Sequence, residues 1–272
     1  MSSILEIKTI AEKKILELAN VSGVGIGKSS PEKIHVYLKS ACPKCLEKIP
    51  AEIGGVPVET IITGKITTLA QQPVQALSAS RTAKYRPCPG GVSIGHKDIT
   101  AGSFGVVCYD NDTNEPYILS NNHVLANEAS LQSSGGMIGD AIVQPGIYDR
   151  GTIAMDTIGT LEKTSVLDQI NENEFDCALA KPVSVSDISS TILEEGVITQ
   201  IGEPYIGDIV TKSGRTTGLT ESRIVDVNAT IKVTYSRLGE LTFKNQTIIS
   251  PGFASGGDSG SIIRRNRDGA AV

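Results

Sequence analysis

The sequence predicts a mainly β body preceded by a small α+β unit, and three observations carry that prediction. From about residue 88 onward the chain is a succession of short apolar runs separated by glycine and asparagine turns, with little helical pattern. Residues 1–70 instead mix helix and strand signals. Between the two, residues 71–87 show no periodicity and read as a linker. With 272 residues and 39% hydrophobic content the chain is long enough for two units, or for one large β body.

The first unit opens on Ser3-Ile4-Leu5-Glu6, a capping box, followed by Ile7, Ile10, Ile15, Leu16 and Ala19 at helical spacing. Charges at Glu6, Lys8, Glu12, Lys13, Lys14 and Glu17 interrupt the apolar run that a secretion signal requires. A glycine-rich strand is expected over residues 21–28 and an alternating one over 33–39. Ser22-Gly23-Val24-Gly25-Ile26-Gly27-Lys28-Ser29 has the look of a phosphate-binding loop. However, Ser22 stands where its first glycine belongs, and Pro31 and a strand follow where a helix should open. A hairpin explains these glycines better. A short helix over 43–48 and strands over 56–62 and 65–69 complete the unit.

Composition narrows the partners. Net charge is −5, from 25 basic and 30 acidic residues, and no basic run is present, so nucleic acid is not an expected partner. No apolar stretch is long enough to span a membrane. Of the five cysteines, Cys42 and Cys45 form a Cys-x-x-Cys pair with no second pair to complete a zinc site, so no metal is expected. They read as surface thiols, and Cys108 and Cys177 as small core residues. A reducing cytoplasm is the simplest compartment for such a chain.

The chemistry concentrates around Gly256-Gly257-Asp258-Ser259-Gly260-Ser261. A serine among small residues on a tight turn can aim its own N–H and that of Gly257 at one oxygen, forming an oxyanion hole. Such a serine needs a base. Among three histidines, His35 lies in an alternating strand and His96 in a turn, whereas His123 ends the apolar strand that runs through Ile118 and Leu119. Asp176 interrupts the apolar run after Phe175, so it is expected to be buried and to need a hydrogen-bonding partner, which an imidazole supplies. The serine would be the nucleophile, His123 the base that takes its proton, and Asp176 the group that fixes the imidazole tautomer.

The order His123, Asp176, Ser259 resembles that of trypsin- and chymotrypsin-like serine peptidases. Residues 101–107 with 118–125 are similar to the first hairpin and catalytic histidine of that family, and Phe175-Asp176-Cys177-Ala178-Leu179 to its buried aspartate strand. Lys212-Ser213-Gly214-Arg215-Thr216-Thr217-Gly218 looks like the opening of the second barrel in bacterial members. The resemblance covers residues 88–272. It implies a chymotrypsin-like double β-barrel behind an extra N-terminal α+β domain, and hydrolysis of protein or peptide chains through an acyl-enzyme without a cofactor. The implied site is His123, Asp176 and Ser259, with Gly257 and Ser259 as oxyanion donors. Phe253 and Ala254 fall at the base of the primary pocket. The absence of a carboxylate there suggests a small or apolar substrate residue, not Arg or Lys. The polar loop over 126–149 reads as surface.

Two features depart from the family pattern. The strand that follows Ser259 and returns along the specificity pocket only begins at Ala270-Ala271-Val272, so its remainder is expected from a longer polypeptide or from another chain. Digestive members bury a freed N-terminus against the aspartate before the serine, here Asp258. No basic-then-apolar cleavage site precedes Gly90-Gly91-Val92, and no zymogen is assumed. Three alternatives stay open: a partner-binding scaffold that keeps the fold, a protease inactive until a partner or further segment completes it, and an esterase using the same chemistry.

Overall fold

The computed structural model describes residues 3–27, 31–68, 79–99, 101–133 and 135–272. In chain order the first elements are α1 (Ile4–Ile15), β1 (Val21–Gly27), β2 (Lys33–Leu38), α2 (Pro43–Leu46), β3 (Glu52–Ile53) and β4 (Val56–Ile62). Next come β5 (Cys88–Gly90), β6 (Ser93–His96), β7 (Gly102–Ser103), β8 (Val106–Tyr109), β9 (Pro116–Ser120), α3 (Asn122–Leu125), β10 (Ala141–Val143), α4 (Ile153–Asp156) and β11 (Thr157–Thr164). The last are β12 (Ala178–Pro182), β13 (Ile188–Ile192), β14 (Gly196–Val197), β15 (Ile209–Gly214), β16 (Gly218–Tyr235), β17 (Gly239–Ile249) and β18 (Ile263–Arg265). The protein is mainly β, as the sequence predicts. No helix among the described residues is long and apolar enough to cross a membrane.

The first of two large sheets runs β7-β6-β10-β11-β12-β9-β8. Its edge strands, β7 and β8, are joined by only Phe104 and Gly105, so the sheet curls and brings its two ends near each other. Val92, Ile94, Phe104, Ile118, Val124, Leu125, Ile142, Ile158 and Leu161 fill the interior. Ser120 Oγ, at the end of β9, donates to Ser103 O of β7 at 2.8 Å, which sets the two close together.

The second sheet runs β18-β15-β16-β1-β2-β4-β3, with β17 also paired to β16. β1 therefore bonds to a strand of the C-terminal half, Gly23 facing Ile231 and Val24 facing Thr230. Residues of the expected 1–70 unit thus share one continuous sheet with β15 and β16. Helix α1 starts at the predicted capping box, Glu6 N–H donating to Ser3 Oγ and Ser3 N–H to Glu6 Oε2. It buries Ile7, Ala11 and Ile15 against Val21, Val24, Ile34 and Val36.

The glycines of β1 have a packing cause. A Cβ at Gly25 would fall on the carboxylate of Asp226, and one at Gly27 on the ring of His35. Asp226, fully buried, accepts from Ile26 N–H at 2.6 Å and the Tyr37 hydroxyl at 2.6 Å, and pairs with His35 Nδ1 at 3.2 Å. The Lys28-Ser29 end of the phosphate-loop look-alike lies outside the described residues.

Several boundaries differ from expectation. The helix predicted over 43–48 is the single turn α2. From the strand expected over 65–69, Thr67 makes an isolated bridge to Thr234, and residue 69 lies outside the described residues. Residues 71–78 of the expected linker also lie outside them. Its later part is anchored: Arg81 is buried, donates to Gly91 O at 2.9 Å and Ser213 Oγ at 2.8 Å, and pairs with Glu194. Cys42 and Cys45 are not free thiols but a disulfide, because the first turn of α2 sets residues i and i+3 on one side, with Cα atoms 5.1 Å apart. Cys88, Cys108 and Cys177 are free.

Candidate active site

His123 owes its place to a one-turn helix at the end of β9. Asn121 is still extended, and α3 then buries Val124 and Leu125 in the core. The Asn122 amide donates to Ala129 O at 2.9 Å, Thr164 Oγ1 at 2.9 Å and Ser165 O at 2.6 Å, which locks the turn. Asp176 lies just before β12, which pairs with β9, so its backbone runs beside α3. Asn121 Nδ2 donates to Asp176 O at 2.6 Å.

His123 and Asp176 are brought together. Nδ1 stands 2.5 Å from Oδ2, and the His123 backbone N–H donates to Oδ1 at 3.2 Å. The Tyr235 hydroxyl donates to Oδ2 at 2.8 Å. Burial opposes ionisation of Asp176, yet the His123 charge and the hydrogen bonds from His123 and Tyr235 hold its carboxyl below the usual carboxylate range. With Nδ1–H committed to a carboxylate, Nε2 is the acceptor nitrogen. Nε2 is buried and has no hydrogen-bond partner among the described residues.

The backbone of Ser259 packs on β7. Ser103 N–H donates to Ser259 O at 2.7 Å, and a Cβ at Gly102 would meet both Val124 Cγ2 at 2.5 Å and Ser259 O at 3.0 Å. The carbonyls of the turn are equally tied: Ser103 Oγ donates to Gly257 O at 3.0 Å and Thr216 Oγ1 to Gly256 O at 2.6 Å. Gly257 adopts φ +96, where a side chain would be strained and would meet Arg215 Nη1 at 2.8 Å. Among the described residues, the N–H groups of Gly257 and Ser259 have no acceptor, and no hydrogen bond joins Ser259 Oγ to His123 Nε2.

Asp258 points the other way, into the second sheet. Oδ1 accepts the Thr216 and Thr217 N–H groups at 2.9 and 3.1 Å, and Oδ2 the Thr217 hydroxyl at 2.6 Å and Ser255 N–H at 2.9 Å. Lys212 Nζ stands 3.4 Å from Oδ2, with both side chains buried. Burial pushes the Lys212 ammonium down and Asp258 pulls it back up. The carboxylate is thus satisfied wholly from within the chain.

The expected pocket residues separate. Phe253 is a core residue packed with Val210 and Ile224 beneath the Lys212 ammonium, while Ala254 is open to solvent. The 126–149 loop is tied at its far end to the turn that follows β15: Asp149 holds Arg215 through bonds of 2.7 and 2.5 Å, and the guanidinium lies over Tyr148. Tyr235, Asn122, Ser103 and Asp149 were not singled out from sequence. Tyr235 and Ser103 sit in ordinary strand patterns with no local signal of a role. Among the described residues, no group of three or more His, Cys, Asp or Glu side chains could hold a metal ion.

No protein-family model matches the sequence, and no curated protein does. Solved structures give weaker matches at 19% identity. A glutamic-acid-specific serine protease aligns with a TM-score of 0.47, over 68% of this chain and 82% of its own. Thermobifida fusca protease A scores 0.46, over 67% and 79%, and the Nocardiopsis protease NAPase 0.45, over 65% and 78%. These neighbours are bacterial chymotrypsin-like serine proteases. What His123, Asp176 and Ser259 do in this chain is inferred from their own surroundings.

Proposed function

We propose that the protein is a serine endopeptidase. The observation that carries this reading is the buried His123–Asp176 pair with its unpaired Nε2, together with a serine on a turn held by β7 where the Gly257 and Ser259 N–H groups have no acceptor among the described residues. Nε2 removes the Ser259 hydroxyl proton as Oγ attacks the scissile carbonyl. The Gly257 and Ser259 N–H groups receive the oxyanion. His123 then gives its proton to the leaving amine, and water repeats the sequence on the acyl-enzyme. Asp176 holds the imidazole with Nδ1–H inward and balances its charge when it is protonated. No cofactor is required for these steps.

The Lys212–Asp258 pair and the four hydrogen bonds on that carboxylate support a turn that forms without a freed N-terminus. Substrate is a peptide strand laid beside the 256–261 turn, with a small or apolar residue entering next to Ala254. Hydrolysis of a quenched peptide library by wild type and Ser259→Ala tests the proposal. The variant is expected to lose about 10⁴–10⁶-fold in kcat. Equal turnover by both proteins refutes the assignment.

A further inference from the structure

The hairpin of β16 and β17 reaches from the second sheet onto the first. At its tip, buried Glu128 accepts the Ser236 N–H at 3.0 Å, the Ser236 hydroxyl at 2.6 Å and the Arg237 N–H at 2.8 Å. Leu238 and Leu241 pack there on Leu167, in the segment that leads to Asp176. Just behind the tip lies Tyr235, 3% exposed, stacked on Phe243 at 5.9 Å and edge-on to His123 at 6.0 Å. Its hydroxyl meets Asp176 on the oxygen that also takes His123 Nδ1–H.

We infer that Tyr235 is a positioning residue of the active site, a phenol donor that pins the Asp176 carboxylate in line with His123. The inference rests on the peptidase reading for its kinetic consequence, while the geometry concerns only Asp176 and His123. Three properties make the phenol suited to this task. Burial and then the Asp176 charge push its hydroxyl well above the usual tyrosine range, so it stays a neutral donor. Two aromatic contacts fix its ring, so the hydrogen bond costs little further ordering. It is too buried to touch substrate.

The same hairpin gives the N-terminal residues a part in the site. Thr234, the neighbour of Tyr235, donates its N–H to Ile66 O at 2.9 Å and accepts from Thr68 N–H at 2.9 Å. Further along β16, Thr230 and Ile231 pair with β1. Lys232 Nζ donates to Leu16 O at 2.7 Å. Leu16, β1, Ile66 and Thr68 therefore grip the strand that delivers the phenol.

The test compares full-length wild type, Tyr235→Phe and Phe243→Leu by proton NMR, with His123→Gln identifying the His123 Nδ1–H resonance. Wild type is expected to show this proton at low field and in slow exchange with water. Losing a hydrogen bond to a charged group is expected to speed that exchange about tenfold or more in Tyr235→Phe. Peptide kinetics should show kcat lowered by about the same factor with KM unchanged. Phe243→Leu keeps the hydroxyl but loosens the ring, so it should move both readings the same way by less. It also decides the matter if Tyr235→Phe fails to fold. Unchanged exchange and kcat in a folded variant overturn the inference, as does a folded wild type without the resonance. Resonance changes as expected in a protein whose Ser259 is inert would refute the peptidase reading and leave the positioning role standing.

Discussion

Asp176 accepts three hydrogen bonds on a side chain that is 14% exposed, and its ionisation depends on all of them. Its folded value lies below the ordinary carboxylate value, so the stability it supplies is fully present above the unfolded carboxylate range. That stability is lost as pH falls through the lower, folded value. Denaturant midpoints of wild type should therefore decline on acidification below about pH 4, and those of Asp176→Asn should decline less steeply. The same variant is expected to lose about 10⁴-fold in kcat, because an amide can accept the wrong tautomer of His123. Equal acid sensitivity of the two proteins would show that Asp176 is not held in its charged form by these contacts. At this scale the sequence was most readable where chemistry demands particular residue types. The pairing of His123 with Asp176 was legible because a polar residue at the end of, or inside, an apolar run needs a partner. Tyr235 was not, since a tyrosine in an alternating strand is an ordinary residue until the fold brings a carboxylate to it.

The strand β1 shows how an element can carry a misleading signature. Its glycines imitate a phosphate loop, yet they exist because side chains from two neighbouring strands lie against its backbone. Gly25 makes room for the Asp226 carboxylate, which bonds Ile26 N–H and the Tyr37 hydroxyl. Gly25→Val should displace that carboxylate and leave buried donors unpaired, at a cost on the order of 3 kcal/mol. A thermal midpoint about 6–12 °C lower is expected from calorimetry. A midpoint within 1 °C of wild type, to take about the resolution of such a scan, would mean the close approach is not needed. The alternation that marked β2 was legible because Ile34 and Val36 on one face are buried while Lys33 and His35 on the other are only partly so. The partner of β1 was not, because Ile231 and Thr230 lie some two hundred residues away and long-range pairing leaves no local trace. The disulfide of Cys42 and Cys45 was missed for a related reason: the spacing permits a bond, but only the backbone of α2 decides it.

The whole molecule is organised around β16, which pairs with β15 at one end, with β1 in the middle and with β17 along most of its length. The mainly β class was legible from turn spacing. The apparent break at 71–87 says nothing about pairing across it, since hydrogen bonds between strands do not follow the chain. One sheet running through both halves should unfold as one unit. A single calorimetric transition, with its van't Hoff and calorimetric enthalpies equal, is the expected outcome. Two resolved transitions would mean that the β1–β16 seam does not couple the halves.

Ser259 as an activated nucleophile can be read with a fluorophosphonate probe, which bonds covalently only to such a serine. Labelling of the folded wild type, mapped to Ser259 and absent in Ser259→Ala, is the result predicted here. A folded wild type that does not react, or label that persists in Ser259→Ala, would contradict it.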